Sequence, residues 1–164
     1  MPFKSPMPAF LESHLSAEAY DRWLNRKAAA HVRRDRARGR PATRAQYKAA
    51  IHQAVLMSEG RDAYTGEPLD WHLISTYSNE ASSEGRHAYK ATLALLPTVD
   101  HFEAGVSAAD FRICAWRTND AKNDLTSADF VALCRRVVAH ADAGTRNRET
   151  GPAGRQPAAE PVSS

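Results

Sequence analysis

Two short apolar segments separated by a polar stretch constrain the fold of this chain more than any other feature. The first, residues 93–99, is followed at once by Asp100 and His101, and the second spans residues 111–115. Short apolar runs that are bounded by polar residues are typical of strands. The segment after them, residues 117–123, is polar and favours a short helix. We therefore expect two strands and a short helix in this order, which we call the ββα unit.

Two helices are expected before the ββα unit. Ser16 is a suitable N-cap for the first helix, and the residues from Thr43 to Gln46 match a capping box at the start of the second. Apolar and aromatic residues that recur at helical spacing should form the buried stripe of the first helix: Tyr20, Leu24, Ala28 and His31. The two helices should therefore pack against a common core.

The predicted elements together indicate an α+β protein. Residues 62–71 predict a turn-rich hairpin, residues 72–90 a polar loop, and Thr126 the start of a last helix. At 164 residues the chain is long enough for one domain with tails. We expect four segments: a loosely ordered lead-in (1–15), a basic helical region (16–60), a core with the ββα unit and the last helix (61–141), and a disordered tail (142–164).

The positive charge of the chain is concentrated in one segment. Between Asp21 and Lys48 there are ten Lys or Arg and only two acids, so this segment carries +8 although the whole chain carries +3. Such a basic block favours an anionic polymer as partner, nucleic acid first, although a solvated helix face is the competing explanation. At ~100° per residue, five arginines fall within roughly an 80° arc of the first helix. They are Arg22, Arg26, Arg33, Arg36 and Arg40.

Composition argues against several other classes of protein. The two cysteines, Cys114 and Cys134, lie in apolar runs without Cys-x-x-Cys spacing, so we expect neither a disulfide framework nor structural zinc. No run reaches the ~18 apolar residues of a membrane span. The N-terminal residues lack the apolar stretch of a signal peptide. We therefore expect a cytoplasmic protein without a membrane partner.

Asp100, His101 and Asn119 together fit metal-assisted hydrolysis. A carboxylate and an amide supply oxygen ligands for Mg²⁺, which takes few protein ligands because it retains several waters. A histidine can take a proton from an attacking water near neutral pH. Hydrolysis of a phosphodiester needs both components. In isolation, an Asp-His pair is more often the polar end of a strand in solvent.

The same residues resemble the motif of the HNH endonucleases, also called ββα-metal or His-Me finger nucleases. In that family an Asp-His pair ends the first strand, an Asn opens the second, and an Asn on the helix is often followed by Lys. The matching residues here are, in chain order, Asp100, His101, Asp110, Asn119 and Lys122. The resemblance covers roughly residues 91–140, and the hairpin at residues 64–67 forms an upstream part.

The resemblance implies a role for each matching residue. Asp100 and Asn119 would hold Mg²⁺ or Mn²⁺, and His101 would act as the general base. Lys122 and Arg117 would hold neighbouring phosphates, Arg117 with bidentate geometry.

Two departures from the family pattern affect its supporting residues. Asp110 stands where the family has an Asn that braces the loop carrying the His, and a carboxylate can accept such backbone hydrogen bonds but cannot donate them. We keep Asp110 among the catalytic candidates. The paired cysteines that bind structural zinc in many relatives are missing, and we expect packing of Tyr64, Trp71 and Trp116 to replace the metal.

These residues predict a metal-dependent endonuclease, a hydrolase that cuts DNA with a histidine base and one Mg-type ion. One alternative is a non-catalytic nucleic-acid-binding protein, in which helices near 16–38 and 44–58 resemble a helix-turn-helix. Another is an HNH nuclease directed to RNA, because the contacts that separate RNA from DNA are not visible in a sequence. Sequence specificity, nicking against double-strand cleavage, and the oligomeric state stay open.

Overall fold

The computed structural model describes residues 5–39, 42–76, 86–101 and 110–149. Contacts between Cα atoms divide the chain into one unit up to Ser127 and a second from Ala128. The described part of the first unit contains, in chain order, α1 (Ala17–Ala37), α2 (Arg44–Ser58), α3 (Arg86–Thr92), β1 (Pro97–His101), β2 (Phe111–Ala115) and α4 (Trp116–Lys122). Short 3-10 helices lie at Ala9–Leu11 and Trp71–Ser75. The predicted α+β class is confirmed.

Helix α1 has one buried face along its whole length. Its N-cap is Ser16, whose side chain accepts a hydrogen bond from an N–H of the first turn. The whole predicted stripe is buried, and Trp23, Val32 and Asp35 extend it. Asp35 lies one turn beyond His31, so the packing of the helix holds an ionisable side chain inside the protein.

Helix α2 packs against both α1 and β2. It begins with the predicted capping box, in which the Thr43 side chain accepts a hydrogen bond from Gln46 and the Gln46 side chain accepts one from the Thr43 N–H. The Tyr20 hydroxyl lies 2.8 Å from Nδ1 of His52 and ties α1 to α2. The two helices therefore pack together beside the sheet.

The sheet contains the antiparallel pair β1 and β2, with Pro97 opposite Ala115 and His101 opposite Phe111. Successive side chains of a strand point to opposite faces, so Asp100 and His101 lie on opposite faces of the sheet. Helix α4 begins directly after β2. The predicted order of strand, strand and helix is confirmed.

A hairpin braces the end of β2, as the turn-rich sequence predicts. Its arms meet in a bridge between Arg61 and Pro68. The buried carboxylate of Asp62 accepts hydrogen bonds from the N–H groups of Tyr64 and Ala115, each at 2.7 Å. Asp62 thereby fixes the hairpin to the sheet.

Three predictions about individual segments are wrong. The first strand begins at Pro97 rather than at Leu93. The residues before it form a turn, and Leu93 and Leu96 are buried there without belonging to a strand. Helix α3 and the second 3-10 helix lie partly within residues 72–90, where we expected only a loop. The described part of the lead-in, residues 5–15, is anchored rather than loose, since Leu11 is fully buried in the core.

The last helix, α5 (Ser127–Glu149), continues past residue 141, where we expected structure to end. Apart from Ser127 it belongs to the second unit, so the predicted core of residues 61–141 is divided at Ala128. The remainder of the predicted tail, residues 150–164, lies outside the described residues.

Candidate functional site

A polar cavity of about 350 Å³ lies at the end of β1, and we call it the central cavity. Its walls come from the C-terminal end of α1, from β1, and from α4 with the turn that follows it. The fold thus gathers a carboxylate, an imidazole, an amide and several cations in one place. The lining residues with this chemistry are Arg34, Arg38, Asp100, His101, Asn119 and Lys122.

Asp100 is held by partners on one face of the sheet. The Nζ atom of Lys122 lies 3.1 Å from Oδ2 and 3.3 Å from Oδ1 of Asp100, and only 1% of Lys122 is exposed. The Tyr64 hydroxyl donates a hydrogen bond to Oδ2 at 2.6 Å. Burial, and then the bond to Asp100, raise the pKa of Tyr64, so the phenol remains a donor. The Asp100 charge is therefore compensated inside the protein.

His101 is held on the opposite face by residues of α1 and α2. Its Nε2 atom lies 3.2 Å from Oδ2 of Asp35, and the Tyr47 hydroxyl donates a hydrogen bond to the same oxygen at 2.5 Å. The His101 ring packs 4.7 Å from the ring of Phe111 and 5.2 Å from that of His31. Both ring nitrogens are buried.

His31 stays neutral beside this group. Burial lowers its pKa to about 3, and the positive charge of Arg34 lowers it further in the same direction. An uncharged imidazole therefore lies next to His101.

Asn119, in the middle of α4, and Lys122, its last residue, both line the central cavity. Asn119 is partly buried in the lining, and its backbone oxygen accepts the hydrogen bond that ends the helix at Asn123. The Nζ atom of Lys122 also lies 3.5 Å from the backbone oxygen of His101. Lys122 therefore contacts both members of the Asp-His pair, which the sequence did not indicate.

Two other predicted residues lie outside the central cavity. The guanidinium of Arg117 forms an exposed ion pair with Glu67 of the hairpin. Asp110 lies 3.2 Å from Arg112 and is about one-third exposed. The loop that Asp110 was predicted to influence, residues 102–109, lies outside the described residues.

The described members of the predicted arginine stripe do not line the central cavity. Its members Arg22, Arg26, Arg33 and Arg36 are exposed, and Arg40 lies outside the described residues. The cavity is instead lined by Arg34, in the last turn of α1, and by Arg38, the residue directly after this helix.

Asp35 is the contact of His101 that sequence reasoning missed. A signal was present, because Asp35 continues the buried series through Ala28 and His31 at helical spacing. An acid on an apolar stripe is rarely buried without a partner, and this one lies against Tyr47 and His101.

The donors in the central cavity fit a hard cation such as Mg²⁺. Asp100 offers a carboxylate and Asn119 an amide oxygen, and one or two protein oxygens are enough for an ion that keeps its waters. Within the described residues there is no group of three or more His, Cys, Asp or Glu side chains suited to a metal.

Comparisons with known proteins do not indicate a function, so any proposal depends on the geometry of the central cavity. No family model matches the chain, and no curated protein and no solved structure shows a significant match. None of the helices in the described ranges is long and apolar enough to cross a membrane.

Proposed function

We propose that this protein is a metal-dependent endonuclease that hydrolyses DNA phosphodiester bonds in the central cavity. The observation that carries the proposal is that Asp100, His101 and Asn119 line one cavity together with two arginines. These three residues come from a strand and a helix whose order agrees with the HNH motif. Arg34 and Arg38 are suited to the backbone phosphates, because a guanidinium binds phosphate oxygens in a bidentate manner.

His101 would serve as the general base of this reaction. It takes the proton of the attacking water, and Phe111 and His31 hold its ring in place meanwhile. Lys122 supports the site by holding the Asp100 carboxylate and the backbone oxygen of His101. The same residue therefore connects the proposed base to the proposed metal ligand.

Asp100 and Asn119 would hold the Mg²⁺ or Mn²⁺ ion. When bound, the ion stabilises negative charge on the phosphate and on the leaving oxygen. The ammonium group of Lys122 competes with a cation for Asp100, because both are attracted to the same carboxylate. We therefore expect the metal to bind more tightly when phosphate oxygens complete its ligand set.

A second candidate function is a nucleic-acid-binding protein without catalysis. Two observations favour it: the Asp100 carboxylate already has Lys122 and Tyr64 as partners, and the ring nitrogens of His101 are buried. In this case the ion pair would be structural, and the arginines of α1 would supply the binding energy.

Incubation of the pure protein with supercoiled plasmid and with structured RNA separates the candidates. With Mg²⁺ or Mn²⁺ we expect nicked or linear plasmid, and with EDTA none. Asn119→Ala should need more Mg²⁺ for half-maximal cleavage than the parent, because one oxygen ligand is lost.

The matched control for this titration is Asp120→Asn, which changes a neighbouring cavity residue that we do not assign to the metal. Binding of DNA without any metal-dependent cleavage would support the second candidate. Cleavage of RNA but not of plasmid would support the proposed hydrolysis and show that the substrate is RNA rather than DNA.

A further inference from the structure

Asp35 is a fully buried carboxylate that lies behind His101. Its Oδ2 atom is 3.2 Å from Nε2 of His101 and accepts the hydrogen bond of Tyr47. Among the described residues, no Lys or Arg forms an ion pair with it. Burying a carboxylate without a permanent cation lowers the stability of the folded protein. Stability alone therefore does not explain an acid at position 35.

The aromatic neighbours of His101 cannot determine which ring nitrogen carries the hydrogen. The rings of Phe111 and His31 restrict the tilt of the imidazole, but they lie beside it as packing surfaces. The position of the hydrogen on a neutral imidazole is set by the polar group next to one nitrogen. The Asp35 carboxylate lies 3.2 Å from Nε2, and an ionised carboxylate accepts hydrogen bonds but cannot donate them.

We infer that Asp35 is the positioning residue of His101: it holds the imidazole in the tautomer with hydrogen on Nε2, which leaves Nδ1 to accept a proton. Tyr47, on the neighbouring helix, fixes the carboxylate in turn. The inference rests on the proposed function, because a proton acceptor at His101 serves catalysis. The inference assigns α1 and α2 a second role besides the proposed binding of nucleic acid. Although they lie outside the ββα unit, they supply Asp35 and Tyr47, which orient His101.

The test compares Asp35→Asn with a matched control, Asp21→Asn. Asp21 also lies on α1 and ties it to α2 through Lys48, but it does not line the central cavity. We expect Asp35→Asn to lower kcat for plasmid cleavage by at least about 10- to 100-fold, the range found when the carboxylate partner of a metal-ligating imidazole is lost. KM should change by less than about twofold, because Asp35 is not proposed to touch DNA. Asp21→Asn should leave both constants within about twofold.

A second measurement does not depend on activity. The ¹⁵N shifts of the His101 ring, assigned by their loss in His101→Gln, report which nitrogen carries the hydrogen. We expect hydrogen on Nε2 in the parent protein and a changed or mixed tautomer in Asp35→Asn, because an amide can also donate.

The outcomes separate this inference from the proposed function. If the parent protein cleaves nothing, the proposed function fails, and the ring measurement alone decides the role of Asp35. If the parent cleaves and Asp35→Asn has the same kcat and the same tautomer, the positioning role is wrong while the nuclease stands. A loss of kcat with an unchanged tautomer would also overturn it, since Asp35 would then act only through stability.

Discussion

The two faces of the sheet at the end of β1 carry adjacent residues, yet they are built from different parts of the chain. On one face, Asp100 contacts Lys122 of α4 and Tyr64 of the hairpin. On the other, His101 contacts Asp35 of α1, whose own partner Tyr47 is on α2. The Asp100 face is therefore formed by α4 and the hairpin, and the His101 face by the two helices α1 and α2.

The faces also differ in how charge is compensated. Asp100 has a buried ammonium within ion-pair distance, whereas Asp35 has a hydroxyl and an imidazole. A carboxylate with a permanent cation is expected to contribute to stability through that cation. A carboxylate beside an imidazole is expected to act on the orientation of the ring. The comparison thus predicts different consequences for the two acids.

The largest effect on stability is expected for Asp100→Ala. It leaves the Lys122 ammonium buried and unpaired, which should lower the free energy of unfolding by about 3–5 kcal/mol. Asp35→Asn should cost clearly less, because no permanent cation faces Asp35. Urea unfolding of both variants measures the difference.

The double variant Asp100→Ala/Lys122→Met provides the control for this prediction. It removes both charges, and most of the lost stability should return, because the apolar methionine fills the space of the lysine stem. Equal losses for Asp100→Ala and Asp35→Asn, with no recovery in the double variant, would remove the distinction between the faces.

A smaller effect, on DNA binding and on the cleavage rate, is expected for the arginines at the C-terminal end of α1. It distinguishes the arginines of the central cavity from those on the outer face of the helix. Replacing Arg34 and Arg38 with Gln should reduce the slope of log K against log salt by up to ~2 units and also lower the cleavage rate. The matched pair Arg33→Gln/Arg36→Gln should change only the salt dependence, because these residues lie outside the central cavity.

Salt titrations of DNA binding and cleavage at saturating DNA check both parts. A loss of cleavage in the outer pair would place those arginines in the active site, contrary to the account. Unchanged affinity and slope in the outer pair would make the predicted stripe a solvated face.

The smallest effect concerns acid stability on the His101 face. The pKa of His31 is lowered to about 3, so the folded protein binds fewer protons than the unfolded chain below the ordinary value of 6.5. Stability is complete above this value and falls as the pH drops toward 3, by about 1–2 kcal/mol between pH 6.5 and pH 5. His31→Leu should flatten this dependence in urea unfolding at several pH values. An identical slope in the variant would show that His31 is not the group responsible.

The difference between the faces also explains what the sequence could predict. The caps at Ser16 and Thr43, the second strand and the Asp-His pair at the end of the first strand are local patterns, and each was found in place. The contact between Asp35 and His101 joins residues 66 positions apart, and no local period reports such a distance. The burial of Lys122 was hidden for the same reason, since its partner lies on β1. Polar composition concealed α3, because a helix that exposes much of its surface lacks an apolar stripe.

The most direct test of the central claim is the single-turnover cleavage rate of His101→Gln with saturating DNA and Mg²⁺. Glutamine keeps polar atoms at a buried position but is not a base in this pH range. We expect a loss of at least about 10²-fold, the usual contribution of a general base, with unchanged DNA affinity and a folded protein by circular dichroism. A variant that folds, binds and cuts at the parent rate would show that the cavity at the end of β1 does not use His101 for catalysis.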